Sequence, residues 1–275
     1  MQGDAVAHQQ TTAASAVPSG RRGQEQAPRK RLRASDVVRI FSRILGELLI
    51  TGGVVLLLFV GWQLWWTNVE ANAKQTQAIQ EFSHQLTGPV APAESVNPAD
   101  FGDPVIGTAP GNGQTIGIMY IPRFGADYTR PIIEGTGADV LDTLGLGHYG
   151  STSMPGSIGN FAVAGHRQTH GAVLDSIHTL VPGDKIYVQT VDGYYTYVFR
   201  NNQIVLPNRT DVLLPVPTQP GVAPEERILT MTSCNPRFGS QERIIAYSVM
   251  EGWQPASAGP PSEIAAQVAK AQGKG

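Results

Sequence analysis

The sequence predicts a mainly β domain, a barrel or a sandwich with a few short helices, preceded by one transmembrane helix. Three observations carry that reading. The first is a run of short β-branched or aromatic segments between residues 115 and 251, each bounded by Gly, Pro, Asn or Asp. The second is "LLITGGVVLLLFVGWQLWW", residues 48 to 66, which has no charge. The third is the charge asymmetry around that stretch: residues 1–43 carry a net +5 and residues 67–275 a net −6.

From the N-terminus, residues 1–34 are rich in Gln, Ala, Ser, Gly and basic side chains without apolar period, the composition of a disordered arm. Ser35 is a candidate N-cap for "DVVRIFSRILGE", an amphipathic lead-in to the apolar run, so 35–66 read as one element. Nineteen residues of helix span roughly 28 Å, close to a bilayer's hydrocarbon thickness. Trp62, Trp65 and Trp66 sit at its far end, where amphipathic rings favour the membrane interface. The preceding basic cluster predicts a cytoplasmic N-terminus and an extracytoplasmic remainder, and suits anionic lipid headgroups. A cleaved signal peptide wants a shorter apolar core, although "ANA" at 71–73 mimics a cleavage site. A buried helix of a soluble domain would have to tolerate Gly52, Gly53 and Gly61.

Residues 67–114 read as a stalk and a Pro/Gly-containing linker, with Ile79, Phe82 and Leu86 at helical spacing. Within 115–251 the predicted strands are "TIGIMYIP", "PIIEG", "GNFAVAGH", "DKIYVQT", "YYTYVFRNNQIVL", "RILTMTSC" and "RIIAYSVM". "VDG" at 191–193 marks a hairpin. Short helical patches fall near 138–144 and 172–180. Residues 252–275 are Pro/Ala/Gly-rich and read as a flexible tail, with a helical turn or two available at 262–270.

Cys234 is the one cysteine in 275 residues. Outside the cytoplasm cysteines are usually paired, so a lone one is a structural thiol, half of an intermolecular bridge or a nucleophile. Alternation along "ILTMTSC" puts Thr230, Thr232 and Cys234 on one face and Leu229, Met231 and Ser233 on the other. The Leu/Met face belongs to the core, so Cys234 is expected to point with the two threonines to a more polar surface. "NPRFGSQE" carries turn signals, and antiparallel pairing across it returns Arg243 beside Cys234. An arginine there is either a solvated strand-end charge or the donor that a thiol nucleophile needs for its oxyanion. Among six histidines, His166 ends a predicted strand whose shared face carries Asn160, Ala162 and Ala164, small enough to leave room for a bound chain. His148 and His170 lie in loops, and His178 lies on a short helical patch.

"LTMTSC" followed by Arg243 resembles the TLxTC…R signature of sortases, membrane-anchored cysteine transpeptidases of Gram-positive bacteria. "LGLGHYGSTSMPGSIGNFAVAGHR" resembles the family segment that ends in the catalytic histidine, and "CNPRFGSQER" is similar to class E sortases of actinobacteria. The resemblance covers roughly 115–250. It implies a closed sortase-like barrel, with Cys234 as nucleophile, His166 as acid/base partner and Arg243 as stabiliser of substrate and transition state. Met231 and Ser233 depart from the signature's usual Leu and Thr.

The resemblance further implies cleavage of an LPxTG-like motif, LAxTG for class E, between Thr and Gly through a thioester. The acyl group then passes to a cell-wall precursor amine or a pilin lysine. Thr230, Thr232, Ser233 and Tyr120 are expected in the substrate groove. The chemistry requires no metal or organic cofactor, and no feature points to nucleic acid. Two rivals stand beside this reading. A cysteine transpeptidase of the L,D type would place His and Gly directly before the cysteine, and "TMTSC" has neither. A catalytically idle, membrane-anchored peptide-binding scaffold would use the same groove without chemistry.

Overall fold

The computed structural model describes residues 33–91 and 101–274, so most of the expected basic arm lies outside the described residues. The chain divides into two compact units, Met1–Val55 and Leu56–Gly275. The described part of the first is helical: α1 spans Ala34–Ser83, and its residues up to Val55 belong there. Among the described residues α1 is the helix long and apolar enough to cross a membrane. Its side chains from Leu48 to Phe59, as far as large apolar residues go, are exposed.

The second unit is built on eight strands: β1 (Thr115–Tyr120), β2 (Thr129–Glu134), β3 (Leu146–His148), β4 (Gly159–Ala164), β5 (Lys185–Gln189), β6 (Gly193–Val205), β7 (Arg227–Asn235) and β8 (Glu242–Pro255). They close into a barrel in the order β1-β2-β3-β4-β7-β8-β6-β5. Closure leaves no edge strand open to another chain. Pairs β2–β3 and β4–β7 are parallel and the others antiparallel. The expected strands form, and the 191–193 turn joins β5 to β6. β3, three residues in a Gly-rich stretch, is too short to show a period and was not expected.

Alternation fills the barrel: Phe161 and Val163 of β4, Leu229 and Met231 of β7, and Ile244 and Ala246 of β8 all join one interior cluster. Gly165, just past β4, is required by close approach. A Cβ there would lie 2.6 Å from Val173 and 2.9 Å from Leu146.

Two expectations about the flanking segments are corrected. The stalk does not stand free, since α1 buries Ala71, Gln75, Ile79 and Phe82 within the second unit. Nor is the stretch after residue 251 loose: β8 continues to Pro255, and α2 (Ala138–Leu141) is followed late in the chain by α3 (Ala265–Ala271). Ile264 and Val268 pack with Ile79, Phe82, Ile118, Tyr187 and Tyr194 into a second apolar cluster outside the barrel. The physical reason is shared. β1 and β5 carry large apolar side chains on both faces, and the outward face has to be covered by flanking helices. A Pro/Ala/Gly-rich composition hides the few residues, Ile264 and Val268, that do the covering.

Candidate active site

The site is assembled by strand register. Cys234 of β7 stands directly opposite Arg243 of β8 in the antiparallel ladder. On the other side of β7, the parallel register pairs Ala164 with Thr232. It continues one step through Gly165 N–H, which donates to the Thr232 carbonyl at 3.1 Å. His166 lies two residues beyond Ala164 and Cys234 two beyond Thr232, so the two reach the same level on the same outer face. Three strands thus bring Cys234, His166 and Arg243 together at one end of the barrel. Cys234 is a free thiol, and all three residues are half-buried.

Hydrogen bonds tie the segments at this end to one another. Ser233 Oγ points inward and donates to the Gly165 carbonyl at 2.7 Å, tying the residue before Cys234 to the residue before His166. His166 Nε2 lies 2.6 Å from Asp142 Oδ1, a carboxylate that follows α2 directly. With the Nε2 proton held by Asp142, the neutral imidazole keeps its lone pair on Nδ1. Arg243 donates one nitrogen, Nη1, to the carbonyls of Ser240 (3.0 Å) and Glu242 (2.8 Å). Its Nε and Nη2 have no protein partner among the described residues.

Sequence reasoning missed Arg167. It is 6% exposed, and its Nη1 donates to the Cys234 carbonyl at 3.2 Å and to Asn235 Oδ1 at 2.6 Å. Asn235 in turn donates to Glu242 at 2.7 Å, so one arginine clamps the end of the β7–β8 hairpin. Desolvation pulls the Arg167 pKa down, opposed by the nearby Asp175 carboxylate. The guanidinium still stays charged at any working pH. The one available signal was its position directly after His166, on the opposite side of the chain.

Below Cys234 the outer face of the sheet is roofed by residues 206–226, which link β6 to β7. Asn160 Nδ2 donates to the Val212 and Leu214 carbonyls at 3.1 Å each. Val212 packs with Val205, Ile245 and Tyr247. Under this roof Thr230 is fully buried, and Thr232 is nearly so, its hydroxyl 3.0 Å from that of Tyr149. The expectation that this threonine face is a polar surface is therefore corrected: it is an enclosed wall. Ser233 is also buried and faces inward, away from any groove. Farther along the same face is a cavity of about 370 Å³, lined by Gln203, Val216, Pro217, Thr218, Ile228 and Tyr247 among others.

Tyr120 is not in this neighbourhood. It is fully buried in the second apolar cluster, its hydroxyl donates to Gln189 Oε1 at 2.7 Å, and β1 and β7 are four places apart around the barrel. The expected groove role is corrected to a structural one. His148 is buried and bonded to Glu134 at 2.7 Å, and His178 is exposed. Among the described histidines, His170 lies beside the site, its ring centroid 5.0 Å from that of His166.

A family model described as the sortase domain matches residues 119–251. Sortase SrtE1 of Streptomyces coelicolor (strain ATCC BAA-471 / A3(2) / M145) is 36% identical over 241 residues, 85% of this chain, which spans 64% of that protein's length. Sortase SrtE2 of the same strain is 30% identical over 236 residues, covering 82% of this chain and 88% of SrtE2. Among solved structures, the SrtA sortase from Actinomyces oris aligns with a TM-score of 0.56 at 36% identity, covering 59% of this chain and 93% of that one. Sortase E1 from Streptomyces coelicolor with a tripeptide in the active site aligns at 0.51 and 37% identity, covering 57% of this chain and 99% of that one.

Proposed function

Because the chain belongs to the sortase family, whose members are cysteine transpeptidases, we propose that it cleaves the Thr–Gly bond of an LPxTG-like sorting motif, LAxTG in type, and transfers the acyl part to a cell-wall amine. The observation that carries this reading is the common outer face shared by Cys234, His166 and Arg243.

The chemistry runs in two halves. Cys234 thiolate adds to the Thr carbonyl carbon, and the resulting oxyanion takes hydrogen bonds from the uncommitted Nε and Nη2 of Arg243. His166, protonated at Nδ1 while Asp142 holds Nε2–H, gives that proton to the departing Gly amine as the C–N bond breaks. A thioester remains on Cys234. An incoming amine then attacks it, loses a proton to His166, and expels the thiolate, which restores the starting state. No step calls on a metal or an organic cofactor.

An extended motif leaving Cys234 parallel to β7 would run over the outside of the cover that buries Thr232 and Thr230, touching neither threonine. At about 3.4 Å per residue, four residues reach about 14 Å, the level of Tyr247 and the cavity under the β6–β7 connection. The motif's upstream apolar side chain would be seated there. The exposed apolar stretch of α1 and the basic residues before it support an uncleaved single-pass anchor with the N-terminus in the cytoplasm and the barrel outside. The substrates would be exported proteins with a C-terminal sorting motif, and the amine a cell-wall precursor or a pilin lysine.

The test is ligation by the full chain in detergent, with a LAxTG-type peptide and an amine acceptor, followed by mass spectrometry. Ligated product that is lost in Cys234→Ala is the expected result. A folded wild-type chain that neither cleaves nor ligates any motif variant would leave the idle scaffold as the better reading.

A further inference from the structure

Asp142, His166 and His170 present one ligand atom each, all within 4.8 Å of one another, and the geometry points to an inhibitory site for a zinc-class divalent cation built over the His166 imidazole. The proposal rests on the reading of His166 as the acid/base group.

The donor set suits such an ion. Two imidazoles and one carboxylate match the His₂-carboxylate sets that bind Zn²⁺ with a coordination position left open. Ca²⁺ and Mg²⁺ prefer all-oxygen sites and are disfavoured by two nitrogens. His166 Nε2 lies 2.6 Å and His170 Nε2 4.0 Å from the same oxygen, Asp142 Oδ1. Tetrahedral ligation with bonds near 2.0–2.1 Å needs ligand atoms about 3.3 Å apart, between those two values. A small opening of the first contact and closing of the second would complete the set. The side chains are 29%, 29% and 39% exposed for His166, His170 and Asp142, so an ion has a way in.

Two further observations concern His170. Its Nδ1 donates to the Asp142 backbone carbonyl at 2.9 Å. A ring nitrogen bonded to a backbone carbonyl is the usual orientation device of a metal-binding histidine, because it leaves Nε2 as the lone-pair atom aimed at the ion. His170 is also one of few non-Gly residues with a left-handed backbone, φ 54°, and Ala172 nearby has φ 49°. Such strain persists only where the surroundings impose it. Here α1 does so: Gln75 Nε2 donates to the His170 carbonyl at 3.2 Å, and Gly171 N–H donates to Asn68 Oδ1 at 2.8 Å. The transpeptidation chemistry gives His170 no role, yet the chain holds it in a costly conformation facing His166.

Binding would replace the proton between His166 Nε2 and Asp142 with the ion and release that proton to solvent. An imidazole bound to metal and pulled toward Asp142 is a poor proton donor to the leaving amine, so occupancy stops turnover.

The test uses the full chain in detergent, titrated with Zn²⁺ by calorimetry and with Co²⁺ by absorption, alongside His170→Asn, Asp142→Ala and Cys234→Ser. Asn tolerates the left-handed backbone, and melting in chelator checks that each variant is folded. We expect one Zn²⁺ per chain, no response to Ca²⁺, and cobalt absorption without a thiolate charge-transfer band. Affinity should fall more than about tenfold in His170→Asn and Asp142→Ala and persist in Cys234→Ser. His170→Asn should ligate peptide normally in chelator and resist zinc. Absence of binding overturns the proposal. So does zinc binding that survives His170→Asn and disappears in Cys234→Ser, because the ion then sits on the thiol. Binding as expected in a chain without transpeptidase activity would keep the site and remove the functional reading.

Discussion

Cys234 and Arg243 are directly opposed residues one step from the loop end of the β7–β8 ladder, so eight residues separate them along the chain while the register keeps them side by side. Among the described residues, two guanidinium nitrogens of Arg243 have no protein partner. Replacing it with Ala should slow acylation of Cys234 by about 10²–10³-fold, the range for losing one oxyanion donor. Lys should rescue poorly, because an ammonium lacks the fixed fork. Rapid-quench measurement of the acyl-enzyme checks both variants, and unchanged alkylation of Cys234 by iodoacetamide would show that the thiol itself is intact.

Ser233 departs from the usual signature threonine and faces the Gly165 carbonyl rather than a substrate. Ser233→Ala should therefore cost about 1 kcal/mol of stability, with a buried carbonyl left short of a partner. KM for the sorting peptide should stay within about twofold, the expected scale for a residue that makes no substrate contact. Thermal melts and a peptide titration measure the two effects separately.

Phe82 and Tyr120 lie in one cluster although sequence reading assigned them to a stalk and to a groove. Phe82→Ala should destabilise the barrel by about 3 kcal/mol, as for an aromatic removed from a packed site. A fragment starting near residue 100 should melt lower than the full chain, since it uncovers Ile118, Tyr120, Tyr187 and Tyr194. Neither change should alter which motif is cleaved. Calorimetry and a peptide panel would check this.

Asp184 accepts two bonds from Arg123, at 2.6 and 2.8 Å, and one from Val181 N–H at 2.8 Å. The Arg123 hydrogen bond holds its carboxyl below the usual carboxylate range, against the opposing effect of burial. A depressed carboxylate stabilises the fold above the unfolded value of about 3.9, and that contribution is lost as pH falls through the lower folded value. The melting temperature of Asp184→Asn should fall below wild type at neutral pH, with the gap closing below about pH 4.

Much of the site was legible because strands have a period of two. Alternation along "ILTMTSC" and the turn signals of "NPRFGSQE" are local, and they suffice to bring Arg243 to Cys234. The partners of His166 were not legible. Asp142 reaches it from the end of α2 and His170 from a left-handed loop, both through tertiary folding with no sequence period. Tyr120 was misassigned for the opposite reason. Alternation places a side chain outside the barrel but does not say whether that outside is solvent, substrate or a covering helix. The threonine face of β7 failed the same way, under the roof of residues 206–226.

The most direct measurement is intact-mass analysis of the full chain incubated with a LAxTG-type peptide and no amine acceptor, followed by peptide mapping. The account predicts an acyl adduct of the motif up to its Thr, mapped to Cys234 and released by hydroxylamine. An unmodified Cys234 in a chain that nonetheless cleaves the peptide, or an adduct on any other residue, would contradict it.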